Sequence, residues 1–133
     1  MLATRGRAHG RGDRGALTLS YVVIVPVFLL VVMAIAQTSL WYLARQAALA
    51  AARQGADAAR AQHAPLDAGP RAALAFARQS ASGYLLSPAA TTAGSGAATV
   101  EVTVRGQAPS LVPGIVIKVQ QVARAPVEQF TTP

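Results

Sequence analysis

With 133 residues, a formal net charge of +7 and no cysteine, the chain has room for one small domain beside an apolar segment, and none for a large catalytic core. The missing cysteines leave an exported domain without disulfide staples and remove zinc-finger and thiol chemistry. The basic residues are spread along the chain and form no face interleaved with stacking aromatics, so nucleic acid is not an expected partner.

Residues 1–14 are rich in Gly and Arg, show no apolar periodicity, and read as a disordered leader. Residues 15–44 read as a transmembrane helix. Positions 21–36 carry no charge and, apart from Pro26, are all apolar or aromatic; with the leucines on either side they reach the roughly 20 residues that a helix needs to cross about 30 Å of hydrocarbon. Pro26 removes one backbone hydrogen bond, a loss that bilayer helices tolerate better than soluble ones. Arg5, Arg7, Arg11 and Arg14 precede the span, and Trp41 and Tyr42 follow it where an interfacial aromatic belt lies. This places the N-terminus in the cytoplasm and residues 45–133 outside it, as a single-pass protein of the cytoplasmic membrane. A competing processing signal overlaps the span. Ala34-Ile35-Ala36 is a small-x-small site behind an Arg-rich head and an apolar run, and cleavage after Ala36 would release a small exported interaction domain.

Beyond Tyr42 the helical pattern continues without proline to about residue 62. Ten of the nineteen residues from position 44 to position 62 are alanine, the strongest helix former. Ala44, Ala48, Ala51, Gly55 and Ala58 recur at three- or four-residue steps and form a small-residue face that lets another helix approach closely. An alanine-rich helix also has small residues on every side, so the pattern fits a packing face and plain composition alike. Pro65 pushes the preceding residue out of helical geometry and ends this helix. A second helix is expected from about 70 to 82, with Pro70 at its start, Leu74, Ala77, Ala81 and Leu85 on one side, and Arg71 and Arg78 elsewhere.

Residues 87–98, small, polar and Gly-containing, read as a flexible linker. The period then changes to two. Val100, Val102 and Val104 alternate with Thr99, Glu101, Thr103 and Arg105, and Ile115, Ile117 and Val119 alternate with Val116, Lys118 and Gln120. These stretches predict an antiparallel β-hairpin over about 99–123, with the valine and isoleucine positions buried and Thr103 on the open face. The expected fold is α+β and membrane-anchored: a long N-terminal transmembrane helix continuing into water, a second amphipathic helix, and a C-terminal hairpin.

No phosphate-binding glycine loop, HExxH or GxSxG motif occurs, no paired carboxylates stand at acid–base spacing, and the histidines, His9 and His63, are isolated. The expectation is a chain that is not an enzyme, with no cofactor, no metal and no small-molecule substrate. Its partners would be the membrane and other proteins.

The segment Arg14-Gly15-Ala16-Leu17-Thr18-Leu19-Ser20, continuing to Pro26 and followed by Ala44-Arg45-Gln46 and by Ala52-Arg53-Gln54-Gly55-Ala56, resembles the TadE-like family. These are small pseudopilin-type proteins of the tight-adherence (Tad) pilus and secretion machinery, and the Arg-, Ala- and Gly-rich composition resembles actinobacterial members. The resemblance implies an N-in membrane helix, a small extracytoplasmic domain, and partnership with other pilin or Tad-system subunits, as a minor pseudopilin or assembly factor. It also implies a prepilin peptidase that cuts after a glycine, here between Gly15 and Ala16. At the fifth residue past that bond the family pattern usually has a glutamate that can pair with a neighbour's new amino terminus. This chain has Ser20 there, while Pro26 falls where the family has its proline.

Overall fold

The computed structural model describes residues 12–61 and 63–127, with side chains from residue 20 onward. The expected leader therefore lies outside the described residues up to position 11. Helix α1 spans Gly12–Ala59, its 48 residues including Pro26, and helix α2 spans Ala68–Ser80. Strands β1 (Leu86–Thr91), β2 (Thr99–Ala108) and β3 (Ile117–Pro126) follow. The chain divides into two compact units, Met1–Ile35 and Ala36–Pro133.

From Ser20 to Ile35 the first-unit part of α1 is exposed on every side. Tyr21, Ile24, Phe28, Leu30 and Ile35 are among its exposed large side chains. An apolar window of transmembrane length lies in the part of α1 between Ser20 and Ala59, and none of that window is buried. A helix hydrophobic on every face buries itself in a protein core or in lipid.

The second unit packs the remainder of α1 and α2 on one face of the sheet. Ala44, Ala48, Ala51, Ala52 and Ala56 of α1, Ala73 and Ala77 of α2, Leu85, and Val100, Val102, Val104 and Val119 of the sheet are buried together. Between α1 and α2 the chain turns with His63 in the left-handed region (φ 61). Helix α2 begins two residues before the expected start. Pro70 lies in its first turn, where backbone N–H groups have no intrahelical partner to lose. Asp67 occupies the N-cap position without capping by its side chain; its carboxylate pairs instead with Arg71, one turn on. The buried stripe is Gly69, Ala73 and Ala77, continued by Ala81 and Leu85. Leu74, expected on the same side, is only half-buried.

The sheet corrects the expected hairpin. It has three strands, in the order β1-β2-β3. Strands β2 and β3 pair antiparallel in one unbroken register from Thr99↔Pro126 to Ala108↔Ile117. The additional strand, β1, comes from the stretch read as a flexible linker. It pairs antiparallel with β2, and a register shift lies between Leu86 and Ala89. Ser87, inside that shift, has φ 48, and Pro88 follows it. A residue with positive φ and a proline with no N–H are both tolerated where a bulge interrupts an edge-strand ladder. The remainder of the expected linker is a hydrogen-bonded turn. Ser95 Oγ accepts from Glu101 N–H at 3.0 Å, and Gly96 N–H donates to the Thr99 carbonyl at 2.7 Å.

Within β2 the expected alternation holds for Val100, Val102 and Val104, all buried. Two expectations fail. Thr103, on the opposite face, is also buried, at 8% exposure, because it sits in the central strand between Thr91 of β1 and Val122 of β3. Ile115 precedes β3 and is exposed, so the inward positions of that strand are Val119 and Ala123.

Candidate membrane and assembly surface

The candidate processing bond between Gly15 and Ala16 lies in the first turns of α1, and Ser20 and Pro26 follow in the same helix. Ser20 is exposed, and the large side chains around Pro26 are exposed as well: Val25 at 50% and Val27 at 54%. In water this surface would be costly, since burial of each large aliphatic side chain is worth about 1.5–3 kcal/mol. A bilayer or neighbouring apolar helices remove that cost.

The small-residue face has a different use from a bare docking stripe. Ala44, Ala48 and Ala51 are fully buried within their own unit, and Gly55 is buried as well, while Ala58 is half-exposed. The packed stripe therefore runs through Ala52 and Ala56 instead of Ala58. At Gly55 a Cβ would stand 2.7 Å from the Gly69 carbonyl oxygen and 2.9 Å from both Ala73 Cβ and a Val102 methyl. The helix approach that the small residues permit is thus made to α2 and β2 of the same chain. The face offers little to a partner.

Two features of the second unit were not anticipated from the pattern of residues. The first is a clamp. The Gln37 side chain of α1 donates from Nε2 to the Pro109 carbonyl at 3.1 Å and accepts at Oε1 from Leu111 N–H at 2.8 Å. One amide thereby satisfies two backbone groups at the start of the β2–β3 loop. That loop, residues 109–116, exposes Leu111, Val112, Ile115 and Val116 around Gly114, whose φ of 81 is the left-handed conformation glycine tolerates best. Its signal was present in the sequence: Leu-Val-Pro-Gly-Ile-Val is almost wholly apolar, whereas connecting loops are usually polar. The alternation that ran through Ile115 and Ile117 assigned part of it to a strand and hid the anomaly.

The second feature is an open groove of about 270 Å³ lined by Trp41 and Arg45 of α1 and by Lys118, Val119, Gln120 and Gln121 of β3. The Arg45 guanidinium lies 5.6 Å from the centre of the Trp41 ring, an attractive cation–π distance. Near this groove the ring's apolar body and two cations stand together, the side-chain chemistry typical of a headgroup layer. Among the described residues no group of three or more His, Asp or Glu side chains is placed to hold a metal ion.

Residues 15–57 match the family model described as TadE-like protein. No curated protein and no solved structure matches the chain.

Proposed function

This chain carries a TadE-like segment at residues 15–57, and on that premise we propose that it is a membrane-anchored structural component of a Tad-type pilus or secretion system, a minor pseudopilin or an assembly factor without enzymatic activity. The observation that carries this reading is the fully exposed apolar stretch of α1, which lies inside the matched segment. In this reading the stretch spans the cytoplasmic membrane with the N-terminus inside, and α2 and the sheet stand on the extracytoplasmic side. The partners are other pilin or Tad-system subunits.

Removal of residues 1–14 and Gly15 by a prepilin peptidase would leave Ala16 as the new N-terminus and take away four Arg and one Asp, lowering the formal charge from +7 to about +4. The new ammonium group then needs a partner. Ser20 offers that cation an uncharged acceptor, without the opposite charge that a carboxylate would supply. The charged acceptor accordingly comes from another subunit, which favours incorporation as a minor component over self-polymerisation.

The test is the N-terminal residue of the membrane-extracted native protein, determined by mass spectrometry. Ala16 is expected, and Gly15→Leu should abolish the shorter form. Gln37 as the first residue, with the protein in the soluble exported fraction, would replace this reading with that of a released interaction domain. If the protein instead proved to be the major constituent of sheared surface filaments, the minor-component role would be wrong.

A further inference from the structure

We propose that the β2–β3 loop, residues 111–116, is a second membrane contact: its apolar side chains enter the lipid interface beside the point where α1 emerges. The inference rests on the membrane reading of α1 and extends it to the sheet.

The placement follows from contacts within the second unit. Val102 of β2 meets α1 at Gly55, and Pro109, just past the end of β2, meets α1 at Gln37. From Gly55 back to Gln37, α1 covers about 27 Å at 1.5 Å per residue. From Val102 to Pro109 the extended chain covers roughly 23 Å at about 3.3 Å per residue. The similar lengths mean that β2 runs back along α1 and delivers the loop to the turn of the helix that directly follows the apolar run. In helix order Gln37 precedes Trp41 and Tyr42. If those aromatics mark the interface, the loop is held at or below their level, toward the hydrocarbon.

The loop has the composition for that depth. Leu111, Val112, Ile115 and Val116 are each at least 41% exposed, and no charged residue occurs from position 109 to position 117. Gln37 occupies the two backbone groups at the entrance of the loop, which lowers the cost of bringing that backbone toward lipid. Beyond the loop, Lys118 stands with Arg45 and Trp41 around the groove, where cations meet phosphate groups rather than acyl chains. Elsewhere in the second unit Leu66, in the α1–α2 turn, is 96% exposed, and Tyr84, Leu86 and Val122 are exposed as well. The loop is the apolar cluster that is hydrogen-bonded to α1 at Gln37.

The test uses the full chain reconstituted in phosphatidylcholine–phosphatidylglycerol vesicles, with Trp41→Phe to remove the single native tryptophan. Reporter tryptophans are introduced one at a time by Ile115→Trp, Leu66→Trp and Phe28→Trp, and each is challenged with lipids brominated along the acyl chain. The expected result is strong quenching for the reporters at 28 and 115 and little for that at 66. Quenching at 28 without quenching at 115 overturns the loop contact while leaving the membrane span intact. If the unquenched reporter at 115 is also blue-shifted, the loop is covered by protein, a second copy or another subunit. Absence of quenching at 28 overturns both the span and the inference built on it. Tryptophan is close in character to the residue replaced at this exposed site, and the circular dichroism of each variant confirms that the fold is retained.

Discussion

Replacing Gly55 by alanine sets two effects of opposite sign against each other at one methyl group. Gly55 lies inside α1, where alanine is favoured over glycine by about 1 kcal/mol through backbone entropy alone. Against that, the added Cβ would stand 2.7 Å from the Gly69 carbonyl oxygen and 2.9 Å from Ala73 Cβ and a Val102 methyl. Two of these three neighbours are a backbone atom and a Cβ, which cannot swing aside, so α2 must move off α1. Overpacking of a close-packed site costs typically 1–3 kcal/mol, and contact on three sides puts this position at the upper end. The net expectation is a loss of about 1–2 kcal/mol. For a domain of this size each kcal/mol moves the melting midpoint by roughly 4–8 °C. The assay is thermal unfolding of the detergent-solubilised chain followed by circular dichroism. Gly83→Ala is the control, since nothing lies within 4 Å of the Cβ it would add; it should be neutral or stabilise by up to about 1 kcal/mol. A melting point for Gly55→Ala equal to or above the wild type would refute the close approach of α1, α2 and β2 at this point.

Three further outcomes can be checked in the same assay. Val102→Asp places an unpaired charge among the core valines and should cost several kcal/mol, and Thr103→Asp should be costly too, because Thr103 is 8% exposed; a tolerated Thr103→Asp would show that the second face of β2 is open. Gly106→Val drives its side chain into Leu85, the largest fully buried residue beside it, and towards the Leu86 carbonyl oxygen, so it should detach β1 and lower the melting point by more than Gly55→Ala does. Gln37→Ala removes both hydrogen bonds to the loop entrance; about 1 kcal/mol of stability should be lost, with faster amide exchange at Leu111 and unchanged exchange at Val102.

What could be read from the sequence followed the strength of each periodic signal. The long apolar helix was legible because an uncharged apolar run of that length reaches the extent of a membrane-crossing helix, and Val100, Val102 and Val104 because period two is unambiguous when β-branched residues alternate with charged and hydroxyl ones. Strand β1 was hidden. Leu-Ser-Pro-Ala-Ala-Thr has a single β-branched residue, at its end, and a proline, and it becomes a strand because the free edge of β2 offers backbone partners, a tertiary effect that local propensity does not contain. The start of β3 was set too early, at Ile115, because Ile-Val-Ile-Lys-Val alternates as smoothly in the loop as in the strand, although Ile117 and Val119 keep the expected phase. The small-residue face was visible as a pattern, but its partner was not: Gly55 and Gly69 meet across an intervening turn, and nothing in the spacing of either helix announces the other. Gln37 gave no signal of its own, because a polar residue at the end of an apolar run is ordinarily solvated.

The core of the second unit is built largely from the smallest side chain that still counts as apolar. Among the described residues, ten of its fifteen buried hydrophobic positions are alanine. Such a core has almost no volume to surrender and no room to gain, so its response to mutation is one-sided. At Leu85, Val102 and Val104 truncation opens a cavity and stability falls as the side chain shrinks. At Ala48, Ala51, Ala52 and Ala73 there is little left to truncate, and stability should fall with every carbon added. A complete substitution map of this domain would therefore show two classes of buried position with opposite dependence on residue volume: the buried alanines, most of them on α1 and α2 but including Ala108 and Ala123 of the sheet, and the buried leucine and valines. The buried alanines should accept only Gly or Ser without loss of packing, while Val102 and Val104 should accept other aliphatic residues of similar volume.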